Sequence, residues 1–120
     1  MGAEFAQWGE WNHQEQLEWD LLGDQAHRGV FDWLRDLNAL YRERRVLHRT
    51  DTRPNGFEWI DCLHSEHSVV AFMRCGEGEQ PLIFVCNFTP VPREGYRLGL
   101  AESGPYREVL NSDEEIYRGS

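Results

Sequence analysis

The chain contains no lysine: all twelve of its basic residues are arginine, against twenty-one Asp and Glu, for a net charge of −9 over 120 residues. The absence of lysine argues against a polybasic membrane-binding patch. The acid excess argues against a surface that replaces counterions along a phosphate backbone, so no nucleic-acid partner is expected. No apolar run approaches the roughly 20 residues a membrane-spanning helix needs. The opening MGAEFAQWGEW also lacks the basic and apolar segments of a secretory signal. These absences lead us to expect a soluble, cytoplasmic chain with no membrane partner.

Cysteine is scarce as well. Cys62, Cys75 and Cys86 are three, an odd number without a close C-x-x-C pair. A disulfide framework is therefore not expected, and the thiols read as buried, reduced small hydrophobes. Cys62, His64 and His67 form a C-x-H-x-x-H run, with His13 and His27 elsewhere, but no fourth ligand is evident. No metal and no other cofactor is expected. There is no G-x-S-x-G elbow and no phosphate-cradling glycine loop. Carboxylate pairs are abundant in so acidic a chain. Their spacing gives no reason to hold two of them at the roughly 5–5.5 Å that a retaining glycosidase needs. No catalytic residue is assigned.

What the chain does contain is a globular composition, 40% apolar and 12% aromatic, in amounts that a disordered tail lacks. Residues 1–26 hold no steady period and read as a long ordered loop with one helical turn. Within residues 27–48, Val30, Trp33, Leu34, Leu37, Leu40, Tyr41 and Leu47 recur at helical steps. This predicts an amphipathic helix capped by Asp24 or Gln25, with Arg42, Arg44 and Arg45 near its negative end. Pro54-Asn55-Gly56 breaks the pattern. Beyond it the period becomes that of strands: 57–62, 68–74, 81–88, 96–100 and 106–110. The segment 81–88 is apolar on both faces and reads as the central strand, ended by Pro90 and Pro92. Five strands at this spacing predict an antiparallel sheet or sandwich.

The first block carries the chemistry worth weighing. Trp8, Trp11 and Trp19 alternate with Gln7, Glu10, Asn12 and His13. Flat aromatic faces beside planar hydrogen-bonding groups suit a sugar, whose C–H face stacks on indole while its hydroxyls bond to amides and carboxylates. The competing role for the same tryptophans is to pin the loop onto its scaffold.

These residues also carry a resemblance. The runs EFAQWGEWNH, GFEWID and NFTPVPREGYR, with HRGVFDWLRDLNALYRERRVLH between the first two, resemble glycogen branching enzymes of the alpha-amylase superfamily over essentially all 120 residues. The resemblance implies an α+β arrangement. Residues 1–50 would be the end of a (β/α)8 TIM barrel: strand exit at Met1–Glu4, loop 5–26 on the barrel's active-site face, last outer helix over 27–48. Residues 51–120 would be an antiparallel all-β sandwich domain, incomplete at its C-terminus. It implies a glucan as partner, glycogen or a linear maltooligosaccharide, acted on by a longer enzyme. That enzyme cleaves an α-1,4 linkage, holds the fragment covalently and passes it to a 6-hydroxyl as an α-1,6 branch. The family's nucleophilic Asp, acid/base Glu and third Asp match nothing here, so this piece is expected to be non-catalytic and truncated at both ends. Trp11 and Asn12 are the expected sugar contacts, with Glu4, Trp8 and His13 behind them. Two other readings remain: a stand-alone glucan-binding or structural module, and the tail of a related hydrolase, against which EFAQWGEWNH and NFTPVPREGYR speak. A helix stripe through Trp33, Leu37 and Leu40 without its barrel is expected to promote self-association or to fold back on the sheet.

Overall fold

The computed structural model describes residues 1–62 and 65–120. Two compact units emerge, one comprising Met1–Arg42 with Tyr106–Ser120, the other Glu43–Pro105.

The first unit is built on one helix, α1, Gln25–Glu43. Asp24 caps it: its side-chain carboxylate accepts the Ala26 N–H at 2.8 Å, and its carbonyl accepts the Arg28 N–H at 3.0 Å. Of the two candidates read from the sequence, Asp24 is thus the cap, an interaction worth about 1 kcal/mol. Arg28, Asp32, Arg35 and Asp36 form a ladder of ion pairs along α1, with the arginines exposed. Such exposed pairs contribute little beyond local order. Trp33, Leu37 and Leu40 are half-buried. The indole of Trp33 meets the ring of Tyr117 edge-on, with centroids 5.2 Å apart. Tyr117 closes a short 3-10 turn, Glu115–Tyr117, and its hydroxyl donates to Asp36 at 2.8 Å. The C-terminal residues therefore return to the helix. Gly29 permits this approach, since a Cβ there would stand 2.5 Å from the Tyr117 carbonyl oxygen.

The helix is shorter than its apolar period, ending at Glu43 rather than near residue 48. Arg44 is extended and a 3-10 turn follows at Arg45–Leu47, whose Val46 and Leu47 are 2% and 6% exposed. Burying two aliphatic side chains gains about 1.5–3 kcal/mol each. That outweighs the hydrogen bonds of one more helical turn.

The second unit holds a three-stranded antiparallel sheet in the order β1–β2–β3, with β1 Phe57–Asp61, β2 Val69–Arg74 and β3 Leu82–Asn87. One helix followed by an antiparallel sheet is as expected, but two details differ. β2, not the apolar segment 81–88, is central, because it pairs on both sides and the outer edge of β3 has no ladder among the described residues. No strand forms at 96–100 or 106–110. Tyr96, Leu98 and Leu100 are half-buried while Arg97 and Gly99 are exposed, so the two-residue period is real and only the ladder is missing. Gly95 at φ +65° and Gly104 at φ +157° bend the chain at both ends of this stretch. Tyr96 ties it to the sheet by donating to Asp61 at 2.9 Å.

The register places Trp59, Phe72 and Phe84 opposite one another across all three strands. Phe72 and Phe84 stack at 4.8 Å with their planes 6° apart, and Phe57 stacks on Phe72 at 5.2 Å. Val69 and Ala71 point to the other face and are buried, as are Val46 and Leu47. The thiols are free but not uniformly buried. Cys62 is exposed, because it lies beyond the bulge at Trp59–Asp61 where β1 leaves the ladder. Cys75 and Cys86 are half-buried, and burial pushes both thiols up from their ordinary range. His64 of the C-x-H-x-x-H run lies outside the described residues. Among those described, no group of three potential ligands converges on a metal-sized site. No described helix is long and apolar enough to cross a membrane.

Candidate functional site

Residues 1–24 form an ordered loop with short 3-10 turns at Ala3–Phe5 and Trp19–Gly23. Its floor is Phe5, 1% exposed, whose ring lies 5.3 Å from that of Trp19. Trp19 thus packs on the buried Phe5 ring while remaining 54% exposed, so it pins the loop and still reaches solvent. The strands of the loop are tied across by Gln7 and Glu18. The Gln7 side-chain carbonyl accepts the Glu18 N–H at 3.1 Å, and the Glu18 carboxylate accepts the Trp8 N–H at 3.3 Å. These planar groups hold the loop's own backbone, so their presence between the tryptophans has a structural cause.

All three indoles of the loop reach solvent: Trp8 is 81% exposed, Trp11 53% and Trp19 54%. The Trp8 indole meets His27 edge-on at 5.2 Å, and Trp11 lies beside His13 with ring centroids 6.4 Å apart. Asn12 sits between the latter two in a tight turn, where its side-chain carbonyl accepts the Gln14 N–H at 3.0 Å. Its own loop therefore fixes the plane of that amide. Trp11, Asn12 and His13 form one exposed group on the loop tip. Glu4 belongs to a different place. Its carboxylate accepts the Gly2 N–H at 2.8 Å, and it lines a shallow depression of about 450 Å³ with Phe31, Leu34, Asn38 and Tyr41 of α1. Backbone amides, its own first and then that of Gly2, hold the Glu4 carboxyl below its ordinary range. It is an anion throughout the neutral range.

The exposed Trp11 indole offers a flat apolar face beside the Asn12 amide and the His13 imidazole, and the Trp8 indole offers another. Sequence reasoning missed the groups beneath them. His27 is 7% exposed and its Nδ1 lies 2.8 Å from the Phe5 carbonyl oxygen. A lone histidine in the first turn of an amphipathic helix was the available signal, but its partner is 22 positions away.

Residues 59–120 match the family described as the alpha amylase C-terminal all-beta domain. Over its full length the chain is similar to 1,4-alpha-glucan branching enzymes GlgB. It is 54% identical to that of Cereibacter sphaeroides, 50% to that of Thiobacillus denitrificans and 49% to that of Pseudomonas syringae pv. tomato. The chain spans 16% of the length of each of these relatives. With the match starting inside β1 and running to Ser120, the chain belongs to the alpha-amylase C-terminal all-beta domain family.

Proposed function

We propose that the chain is the C-terminal part of a 1,4-alpha-glucan branching enzyme and supplies scaffold and substrate-loop residues, not reacting groups. The observation that carries this is identity near one half, sustained over all 120 residues, to enzymes of that name. In this reading residues 1–50 end the catalytic barrel, α1 is its last outer helix, and residues 51–120 belong to the β domain. The loop preceding α1 then lies on the barrel's C-terminal face, where active sites of that architecture are built. Phe57, Phe72 and Phe84 form one continuous aromatic stack across the three strands. That geometry suits coverage by a second apolar layer, as in a sandwich.

The reaction assigned to the parent enzyme is retaining. A carboxylate elsewhere in the longer chain displaces the α-1,4 leaving group and forms a glycosyl ester. A 6-hydroxyl of an acceptor glucan then displaces the carboxylate. Transfer wins over hydrolysis only when an acceptor chain occupies the site ahead of water, which requires sugar-binding surfaces around the cleft. Trp11 and Asn12 are assigned as contacts to such a chain. Trp8 and His13 flank them, and Glu4 lies further back. The exposure of Trp8 and Trp11, on an ordered loop whose floor is the buried Phe5 ring, supports this assignment.

Replacing Trp11 by Ala in the full-length enzyme is expected to raise the glucan KM about tenfold, the equivalent of ~1.4 kcal/mol. Steady-state branching assays on amylose read this directly. An unchanged KM and an unchanged branching rate would remove Trp11 from the site.

A further inference from the structure

We propose that His27 is a positioning residue for the glucan-facing loop: it fixes the Phe5 backbone and the Trp8 indole from beneath without touching substrate itself. The inference rests on the reading of that loop as a glucan contact.

An imidazole taken out of water is unfavourable unless its polar atoms are paired. His27 is nearly inaccessible, and the partner of its Nδ1 is the Phe5 carbonyl oxygen at 2.8 Å. A carbonyl only accepts, so Nδ1 carries the proton and donates. The residue that receives this bond is a pivot. The Phe5 ring is buried against Trp19, and the next residue, Ala6, adopts the left-handed conformation at φ 54°. That conformation is disfavoured for a residue with a Cβ and persists only where neighbours hold it. Here the Gln7 N–H donates to the Gly2 carbonyl at 3.0 Å and His27 holds Phe5 from the helix side. The chain is thereby turned so that Trp8 follows directly over the histidine ring.

Trp8 is the most exposed aromatic side chain of the loop, and an indole so placed has many rotamers open to it. The edge-on contact with His27, 5.2 Å between centroids at 80°, restricts them. His27 itself is mounted on a firm base. It lies in the first turn of α1 behind the Asp24 cap, two residues before Gly29, where the Tyr117 carbonyl comes within backbone distance of the helix. A binding group held by a rigid element keeps its geometry better than one carried by a loop alone.

The test uses the full-length branching enzyme with three variants at this position, Trp8→Ala alone and combined with His27→Ala, and Trp11→Ala. His27→Phe retains a ring but cannot donate. His27→Asn retains a donor near the Nδ1 position but loses the ring. His27→Ala loses both. Branching kinetics on amylose should show the glucan KM raised about three- to tenfold in His27→Ala, with kcat little changed and smaller rises in the other two. Combining His27→Ala with Trp8→Ala should raise KM no further than Trp8→Ala alone, because the histidine acts through that indole. A purely structural histidine would lower the melting temperature and leave the KM of the folded enzyme where it was, which overturns the proposal. Fully additive effects of the two substitutions overturn it as well. If Trp8→Ala raises KM and the His27 variants do not, this inference alone fails. If neither Trp8→Ala nor Trp11→Ala moves KM, the glucan-loop reading fails and takes the inference with it.

Discussion

The phenol of Tyr117 donates to Asp36, a residue 81 positions earlier in the chain. Burial first, and then that hydrogen bond to a carboxylate, push the phenol up to about 12 from an ordinary value of 10.0. In the same cluster the Arg35 side chain first, and Tyr117 second, hold the Asp36 carboxyl below its ordinary range. The signs follow from linkage. The raised phenol favours the folded state fully below about pH 10, and that contribution is lost as pH climbs toward about 12. The lowered carboxyl favours it above the ordinary carboxylate range and is lost as pH falls. Of the four tyrosines, Tyr117 should be the last to ionise in a tyrosinate absorbance titration. Tyr117→Phe should abolish that last step; its survival in the variant would contradict the placement of the phenol. Local patterning could not have shown this pair. Neither could it have paired His27 with Phe5, because both bonds join residues whose separation is set by the fold rather than by any period.

At the scale of elements, α1 was legible because one helix writes its own period. Its start was readable to within two residues, with Asp24 one of two candidate caps. Its end was not: Val46 and Leu47 continue the apolar rhythm but are buried in a 3-10 turn instead. The strands show the converse. β1 alternates apolar and polar positions in part, whereas β2 is apolar at every position before Arg74 and was found as an apolar run beyond the Pro54-Asn55-Gly56 break. The stretch 96–100 alternates just as well and still forms no ladder, since alternation reports two unlike faces and not a hydrogen-bonded neighbour. Within the first unit the C-terminal turn comes up against the helix at Gly29, which a helix would otherwise exchange for alanine with a gain of about 1 kcal/mol. Here the added Cβ would meet the Tyr117 carbonyl, a backbone atom with little room to give. Gly29→Ala should therefore destabilise by about 1–3 kcal/mol, as overpacking does. Denaturant unfolding should find its midpoint lowered. A midpoint raised to the extent that helix propensity alone implies would show that the C-terminal turn does not press on the helix.

At the scale of the whole molecule, patterns and motifs spoke unequally. Periodicity reached a helix and some strands. The runs EFAQWGEWNH, GFEWID and NFTPVPREGYR reached the family, because a specific run of residues carries far more information than the spacing of apolar ones. The site lay between these limits. The loop with its exposed indoles was readable from composition, whereas its supports, Gln7 to Glu18 and His27 to Phe5, exist only once the chain is folded. Asn12 shows the same limit in reverse: read as a sugar contact, it also closes its own turn. The central claim is that these 120 residues do the work of the corresponding C-terminal stretch of a branching enzyme. A chimera tests it most directly, in which this chain replaces the 120 aligned residues of the Cereibacter sphaeroides enzyme, 54% identical to them. α-1,6 linkages formed from amylose by the purified, folded chimera should be counted by the anomeric proton signal. The account expects branching within about tenfold of the unaltered enzyme, a barrier change of at most ~1.4 kcal/mol. A chimera that folds, binds glucan and forms no α-1,6 linkage would contradict it.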